Sequence, residues 1–323
     1  MKILYLCSER TTILFEMKVQ KIILAIILLF FGVGCTSKQK HNAQTKSYHF
    51  RYIQPPIQIA EEQRIAYMCD HYWDKFDFAD TLYTTKADTT EMLRAYASYV
   101  ANFVGPLNQE PIRKLMAKAS ASKKMFDYFV MLSEKVLHDP NSPYRSDELY
   151  IAVLEAQLAS PYYDKYEKMA PEYDLRVVSQ NRIGQPANDF YYTTKSGRKS
   201  NLYSLKNDFV IVYINNPGCA MCREITEALK QSSLISELQH KGKLKILAIY
   251  PDENLDEWHK HLADMPSEWI NGYDKGCRIE RENLYNISAI PALYLLDKEK
   301  RVLVKDSTNV SEIESHLGRI IDK

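Results

Sequence analysis

Apolar residues follow two rhythms along this chain. From about residue 56 to 180 they recur at helical spacing, with almost no strand signal. In KKMFDYFVMLSEKVLHD, residues 123–139, Met125, Phe126, Phe129, Val130, Val136 and Leu137 gather on one side of a helix. Gly105-Pro106, the DPNSP stretch at 139–143 and Ser160-Pro161 are helix stop signals. An all-α domain over 56–180 is therefore expected.

The rhythm changes at NRIGQPANDF, residues 181–190, where short extended runs begin to alternate with helices. The order is DFYYTT, a turn at Ser196-Gly197, FVIVYIN at 209–215, a helix, KLKILAIY at 243–250, a charged helix from Leu255, and PALYLLD at 291–297 followed by RVLVK. Apolar runs without alternation mark a sheet buried on both faces. Strand, helix and strand over 209–250 imply a right-handed crossover with parallel pairing. PALYLLD and RVLVK, separated by residues 298–300, read as a closing hairpin. The last segment, SEIESHLGRIID, carries Ile313, Leu317, Ile320 and Ile321 on one face and is expected to pack on the sheet. The second domain, 181–323, is thus α/β, a central mixed sheet flanked by helices.

The length of 323 residues and a composition of 46% hydrophobic and 26% charged residues suit two globular domains. Lys18 and Lys21 precede the apolar run IILAIILLFF at 22–31, then Gly32, Val33, Gly34 and Cys35. A basic segment, an apolar core too short to span a bilayer and small residues read as a signal peptide over 1–34. Glu9 and Glu16 do not fit such a leader, so translation is expected to start at Met17. Loss of 1–34 takes four basic and two acidic residues from a formal charge of +1 and leaves −1. A near-neutral chain carries no footprint for nucleic acid. Cys35, followed by the polar TSKQKHNAQTKS, resembles the lipobox of bacterial lipoproteins. That resemblance implies lipidation at Cys35 and a tether over 35–55; Gly32 departs from the leucine usual there, and plain secretion is the alternative. Thr36 in place of aspartate slightly favours the outer membrane in that reading.

Setting aside Cys7 and Cys35 leaves Cys69, Cys219, Cys222 and Cys277. Cys69 shares a helical face with Ile65, Met68, Tyr72 and Phe76 and reads as a buried, inert thiol. Cys277 has no obvious partner. The stretch NNPGCAMCREITEAL, residues 215–229, sets Cys219 and Cys222 two residues apart where a strand ends and a helix starts. Unpaired N–H groups and the helix dipole there favour an anion, so Cys219 is expected to attack as thiolate and Cys222 to resolve. As a metal site the pair is incomplete, since no second Cys-x-x-Cys exists and His240, His259 and His261 lack finger-like spacing. A structural disulfide across two residues closes too small a loop to stabilise much. Copper delivery through the pair, Met221 and His259 or His261 is a minor alternative.

Residues 181–323 resemble a thioredoxin-like domain of the TlpA/ResA type, within the AhpC/TSA redoxin superfamily. IGQPANDFYYTTKSGRKSNLYSLK is similar to that group's N-terminal hairpin, CAMCRE to its helix start, and NISAIPALYLLD to its cis-proline loop. The resemblance implies catalytic Cys219 and Cys222, a cis bond at Pro291, and pairing of substrate backbone with Ile290. Tyr213 stands where thioredoxins carry a buried aspartate, and Gly218 where they carry tryptophan. Asn216 and Val212 replace the threonine and proline of peroxiredoxins, which argues against peroxidase activity. HYWDKFDFAD at 71–80 and LHDPNSPYRSDELYIAVLE at 137–155 resemble an uncharacterised domain fused to such redoxins in envelope lipoproteins.

Plainer readings cover the remaining polar and aromatic clusters. His71, Tyr72 and Trp73 read as core packing, and Asp139, Asp147 and Glu148 near Arg145 as turn and helix-cap chemistry. The expected function is an envelope thiol-disulfide oxidoreductase, a reductase by resemblance, acting on protein disulfides. A membrane thiol carrier would recharge it, and no cofactor or metal is called for. The alternative is a binding or scaffold lipoprotein whose helical domain recognises a partner beside a redox-sensing or inactive redoxin module.

Overall fold

The computed structural model describes residues 47–287 and 289–321. The expected leader, its start at Met17 and the lipidation site Cys35 lie outside the described residues, as does the first part of the tether.

Seven helices open the described chain: α1 (Glu61–His71), α2 (Tyr83–Lys86), α3 (Thr89–Phe103), α4 (Glu110–Ala119), α5 (Lys123–Ser133), α6 (Asp147–Ala159) and α7 (Met169–Val178). Their starts are chemically marked. Asp88 accepts from Thr90 N at 2.8 Å ahead of α3, Ser122 from Met125 N at 3.2 Å ahead of α5, and Ser146 from Leu149 N at 3.3 Å ahead of α6. Pro111 occupies the first turn of α4. α5 continues into a π-helical turn, Glu134–His138, and the DPNSP stretch then ends it. Residues 149–154 of α6 are buried without a break, so this helix has no solvent face over that span and forms the centre of the bundle.

The helical core is rich in aromatic rings. Tyr72 and Trp73 are buried, and Trp73 meets Phe129 edge-on at 5.3 Å, as expected of core packing, whereas the His71 side chain is partly exposed and pairs with Asp74 at 2.6 Å. The face drawn for Cys69 needs correction. α1 stops at His71, Ile65 is 62% exposed, and Cys69 is only half-buried, with its carbonyl accepting from the Tyr99 hydroxyl at 3.0 Å.

The second half holds β1 (Tyr191–Thr194), β2 (Lys199–Asn201), β3 (Phe209–Ile214), α8 (Ala220–Gln231), α9 (Ser233–His240), β4 (Leu244–Tyr250), α10 (Leu255–His261), β5 (Ile270–Tyr273), α11 (Arg278–Arg281), β6 (Ala292–Leu296), β7 (Val302–Ser307) and α12 (Val310–Ile321). One seven-stranded sheet runs in the order β2-β1-β5-β4-β3-β6-β7. β3, β4 and β5 pair parallel; β6 joins β3 antiparallel, β7 closes a hairpin on β6, and β1 pairs antiparallel with both β2 and β5. The expected mixed sheet flanked by helices is present.

Alternate residues of each central strand enter different cores. Ile211, Tyr213, Ile246 and Leu293 meet Ile225 and Leu229 of α8, Ile235 and Leu238 of α9, and Ile313 and Leu317 of α12. Val210, Val212, Ile249 and Tyr294 face Phe190, Leu202, Ile279 and Tyr285. Because both faces are covered, β3, β4 and β6 are apolar throughout. Ile320 and Ile321 lie 41% and 46% exposed, so only the Ile313 and Leu317 part of the expected α12 face reaches the core.

Ion pairs tie the start of α6 to the second half. Arg145 pairs with Asp306, Asp147 with Lys305 at 2.9 Å, and Glu148 with Arg182 at 2.7 Å. Lys305 also donates to the Val178 carbonyl at 2.6 Å. Asp139 does serve a turn, accepting from Asn141 N at 3.0 Å, but Asp147 and Glu148 bind across this seam instead of acting only as cap residues. Tyr48–Lys323 accordingly forms one compact unit.

Candidate active site

β3 delivers the chain to the cysteines. After Ile214 come Asn215, Asn216, Pro217 and Gly218, and Gly218 takes a left-handed φ of +87°, which a side chain rarely adopts. Cys219 then caps α8, its sulfur accepting from Cys222 N at 3.3 Å. Cys219 is half-buried, whereas Cys222, one turn inward, is 4% exposed. Between them Met221 is 51% exposed, presenting a soft apolar side chain at the rim. Both sulfurs are free thiols.

The inner thiol accepts from one backbone N–H. Asn216 N donates to Cys222 Sγ at 3.5 Å. Burial pushes the Cys222 thiol up to about 12; the Asn216 N–H opposes this, the Cys219 side chain adds to it, and the Tyr213 hydroxyl again opposes it. Tyr213, fully buried on β3, donates to the Cys222 carbonyl at 2.6 Å and lies 3.2 Å from Thr226 Oγ1. Burial raises its phenol well above the ordinary range, so it keeps its proton and can only donate to a sulfur anion. The sequence reading saw at Tyr213 only a missing aspartate. The signal it left unused is that Thr226 follows Cys222 by one helical turn, which puts both beside the β3 residue.

Pro291 sits at the same end of the sheet. Ile214 pairs with Ala292, so the segment entering β6 and the segment leaving β3 emerge side by side. The Ile290-Pro291 peptide bond is cis. Ile290 is half-buried and Pro291 buried.

Charged residues border the Gly218 turn. A Cβ placed on Gly218 would lie 3.6 Å from Glu257 Oε1 of α10. Glu257 in turn pairs with His261 Nε2 at 2.9 Å. Neither contact is visible in the local sequence, since α10 is joined to the cysteine turn only by the fold. Cys277 begins α11 in a left-handed conformation and is buried, which raises its thiol, with Glu253 and Asp274 adding to the rise. Among the described residues no group of three or more His, Cys, Asp or Glu is placed to hold a metal ion.

This geometry has known counterparts. Residues 207–302 match the family model described as thioredoxin-like, and residues 34–181 match a domain of unknown function, DUF5106. The crystal structure of a thioredoxin-like protein from Bacteroides caccae is 45% identical, with a TM-score of 0.79, over 85% of this chain and 99% of that one. The chain belongs to the thioredoxin-like family. This thioredoxin-like chain is also 49% identical to the C-terminal domain of an uncharacterized protein from Bacteroides fragilis, over 43% of this chain and 98% of that one, with a TM-score of 0.42. Among curated proteins it is 27% identical to bovine nucleoredoxin over 111 residues. That match spans 34% of this thioredoxin-like chain and 25% of nucleoredoxin.

Proposed function

We propose that Cys219 and Cys222 form the redox centre of a cell-envelope thiol-disulfide oxidoreductase that reduces protein disulfides. The observation that carries this reading is the division of labour between the sulfurs: Cys219 is half-buried at the positive end of α8, and Cys222 is sealed one turn behind it. Cys219 attacks as thiolate, forming a mixed disulfide and releasing one substrate thiolate. Cys222 gives up its proton, attacks Cys219 Sγ and releases the second substrate sulfur. Two electrons pass to the substrate, which becomes a dithiol, and the protein keeps the Cys219–Cys222 disulfide. A thiol carrier in the membrane returns the two electrons.

Tyr213, whose hydroxyl donates to the Cys222 carbonyl, turns that proton to the Cys222 sulfur as the anion forms. Ile290 offers its backbone beside the reactive sulfur, so the substrate adds as a strand at the mouth of β6. The finer TlpA/ResA likeness belongs to this proposal; the β1–β2 hairpin ahead of β3 supports it. So does the envelope placement, with lipid at Cys35, which rests on the leader-like sequence before that residue. A division into domains over 56–180 and 181–323, within one compact unit, is also part of it, supported by distinct hydrophobic cores.

The test is dithiol-driven reduction of insulin by the purified protein. Cys219→Ser abolishes turnover, and Cys222→Ser stops after one attack and accumulates mixed disulfides seen on non-reducing electrophoresis. Turnover that survives Cys219→Ser would overturn the proposal.

A further inference from the structure

Asn215 is the first residue past β3, and it breaks the apolar run of that strand. It is only 6% exposed, so an amide side chain is taken out of water where β3 itself carries apolar residues. Burying an amide costs free energy unless its groups are bonded. Here the amide nitrogen faces two main-chain carbonyls, Tyr213 O at 3.2 Å on its own strand and Ile249 O at 3.4 Å on β4. Both partners accept, so the position calls for a donor. The Asn215 N–H goes to the same Ile249 carbonyl at 3.0 Å. Main chain and side chain together fasten the last rung between β3 and β4.

The next peptide leaves the sheet and turns to the cysteines. Asn216 N–H donates to Cys222 Sγ at 3.5 Å, and the Asn216 carbonyl accepts from Cys219 N at 3.2 Å. The second bond closes a four-residue turn with Pro217 and Gly218 at its centre, where Gly218 supplies the positive φ. One residue's backbone therefore reaches both cysteines, and its direction is set by the residue before it. Among the groups that favour the ionised form of the buried Cys222 thiol, the Asn216 N–H acts most strongly. A hydrogen bond weakens steeply as it is misaligned, so a small rotation of the peptide between 215 and 216 frees the sulfur from its donor.

We propose that Asn215 is a positioning residue for the resolving step: its side-chain amide pins the end of β3 to β4 and so aims the Asn216 N–H at the Cys222 sulfur. This inference rests on the reading of Cys222 as the resolving thiol and deepens it. In that step the Cys222 proton passes to water and the thiolate attacks Cys219 Sγ. The bond from Cys219 to the substrate sulfur breaks, the Cys219–Cys222 disulfide forms, and the substrate sulfur leaves as thiolate. The Asn216 N–H favours the anion on which this step depends. The earlier attack by Cys219 does not draw on it.

The probe is a limiting amount of a symmetrical aromatic disulfide whose thiolate absorbs visible light, mixed with the reduced protein in stopped flow. Attack by Cys219 releases one thiolate and resolution by Cys222 the second. In Asn215→Ala the first phase is expected to keep its rate. The second is expected to be about tenfold slower at pH 7, with its rate–pH profile displaced to higher pH. A residue that merely packs changes thermal stability without moving that profile. Asn215→Val fills most of the space without offering a donor; it is expected to show the same displacement and stands in where Asn215→Ala does not fold. An undisplaced profile in either variant overturns the positioning role and leaves the redox reading standing. A wild type that releases no second thiolate overturns both.

Discussion

Tyr213 is the residue whose meaning changed most between sequence and structure. Its hydroxyl, which donates to the Cys222 carbonyl and lies beside Thr226, cannot take a proton near neutrality because burial holds the phenol protonated. It can donate, and the Cys222 thiol, pushed up to about 12, gains most from a donor when it ionises. Tyr213→Phe is therefore expected to slow resolution of the mixed disulfide by about 10²-fold. Alkylation of Cys219 should be unchanged, and the cost to stability about 1 kcal/mol. Stopped-flow release of the second substrate thiol checks this; an unaltered resolution rate would remove Tyr213 from the mechanism. Cys219, Cys222 and the Ile290-Pro291 segment were legible because their setting is local, a strand end followed by a helix start and an X-Pro step before a strand. Glu257 beside Gly218 was not, because elements far apart in sequence bring the two together.

Among the elements, β3, β4 and β6 announced themselves because burial on both faces demands continuous apolar runs. β5, with sequence INGY, went unread. It is short and polar, and Gly272 is needed where a Cβ would come within 2.9 Å of the Tyr192 ring. α9 was missed as a separate helix because its break from α8 is a single residue, Ser232, which caps α9 by accepting from Ile235 N at 3.2 Å. The seam between α6 and β7 was hidden as well, since ionic partners 161 positions apart leave no local pattern. That seam titrates. Burial pushes the Asp306 carboxyl up to about 7 from 3.8, even though Arg145 opposes it. In the unfolded chain this carboxyl loses its proton near pH 4, while in the folded chain it keeps it until about 7. Its contribution to stability is thus present below pH 4 and lost as pH rises to about 7. Urea midpoints of the wild type are expected to fall across that window relative to Asp306→Asn, and parallel pH profiles for the two proteins would refute the assignment.

At the scale of the whole molecule, a helical bundle with its own aromatic core is joined through the Asp147–Lys305 and Glu148–Arg182 pairs to a mixed sheet that carries two thiols at one end. The order of helical and α/β halves could be read from the change of hydrophobic period near residue 181; the way the halves meet could not. Their meeting places Tyr173 and Asp174 of α7 beside Tyr285 and Ile287 of the segment that leads to Pro291. The account as a whole depends on unequal access to the two active-site sulfurs. Limiting iodoacetamide at pH 7 on the fully reduced protein, followed by peptide mapping, reads that inequality directly. The account predicts label on Cys219 first, with Cys69 slower and Cys222 and Cys277 unmodified over the same interval. Label arriving at Cys222 or Cys277 as fast as at Cys219 would contradict it.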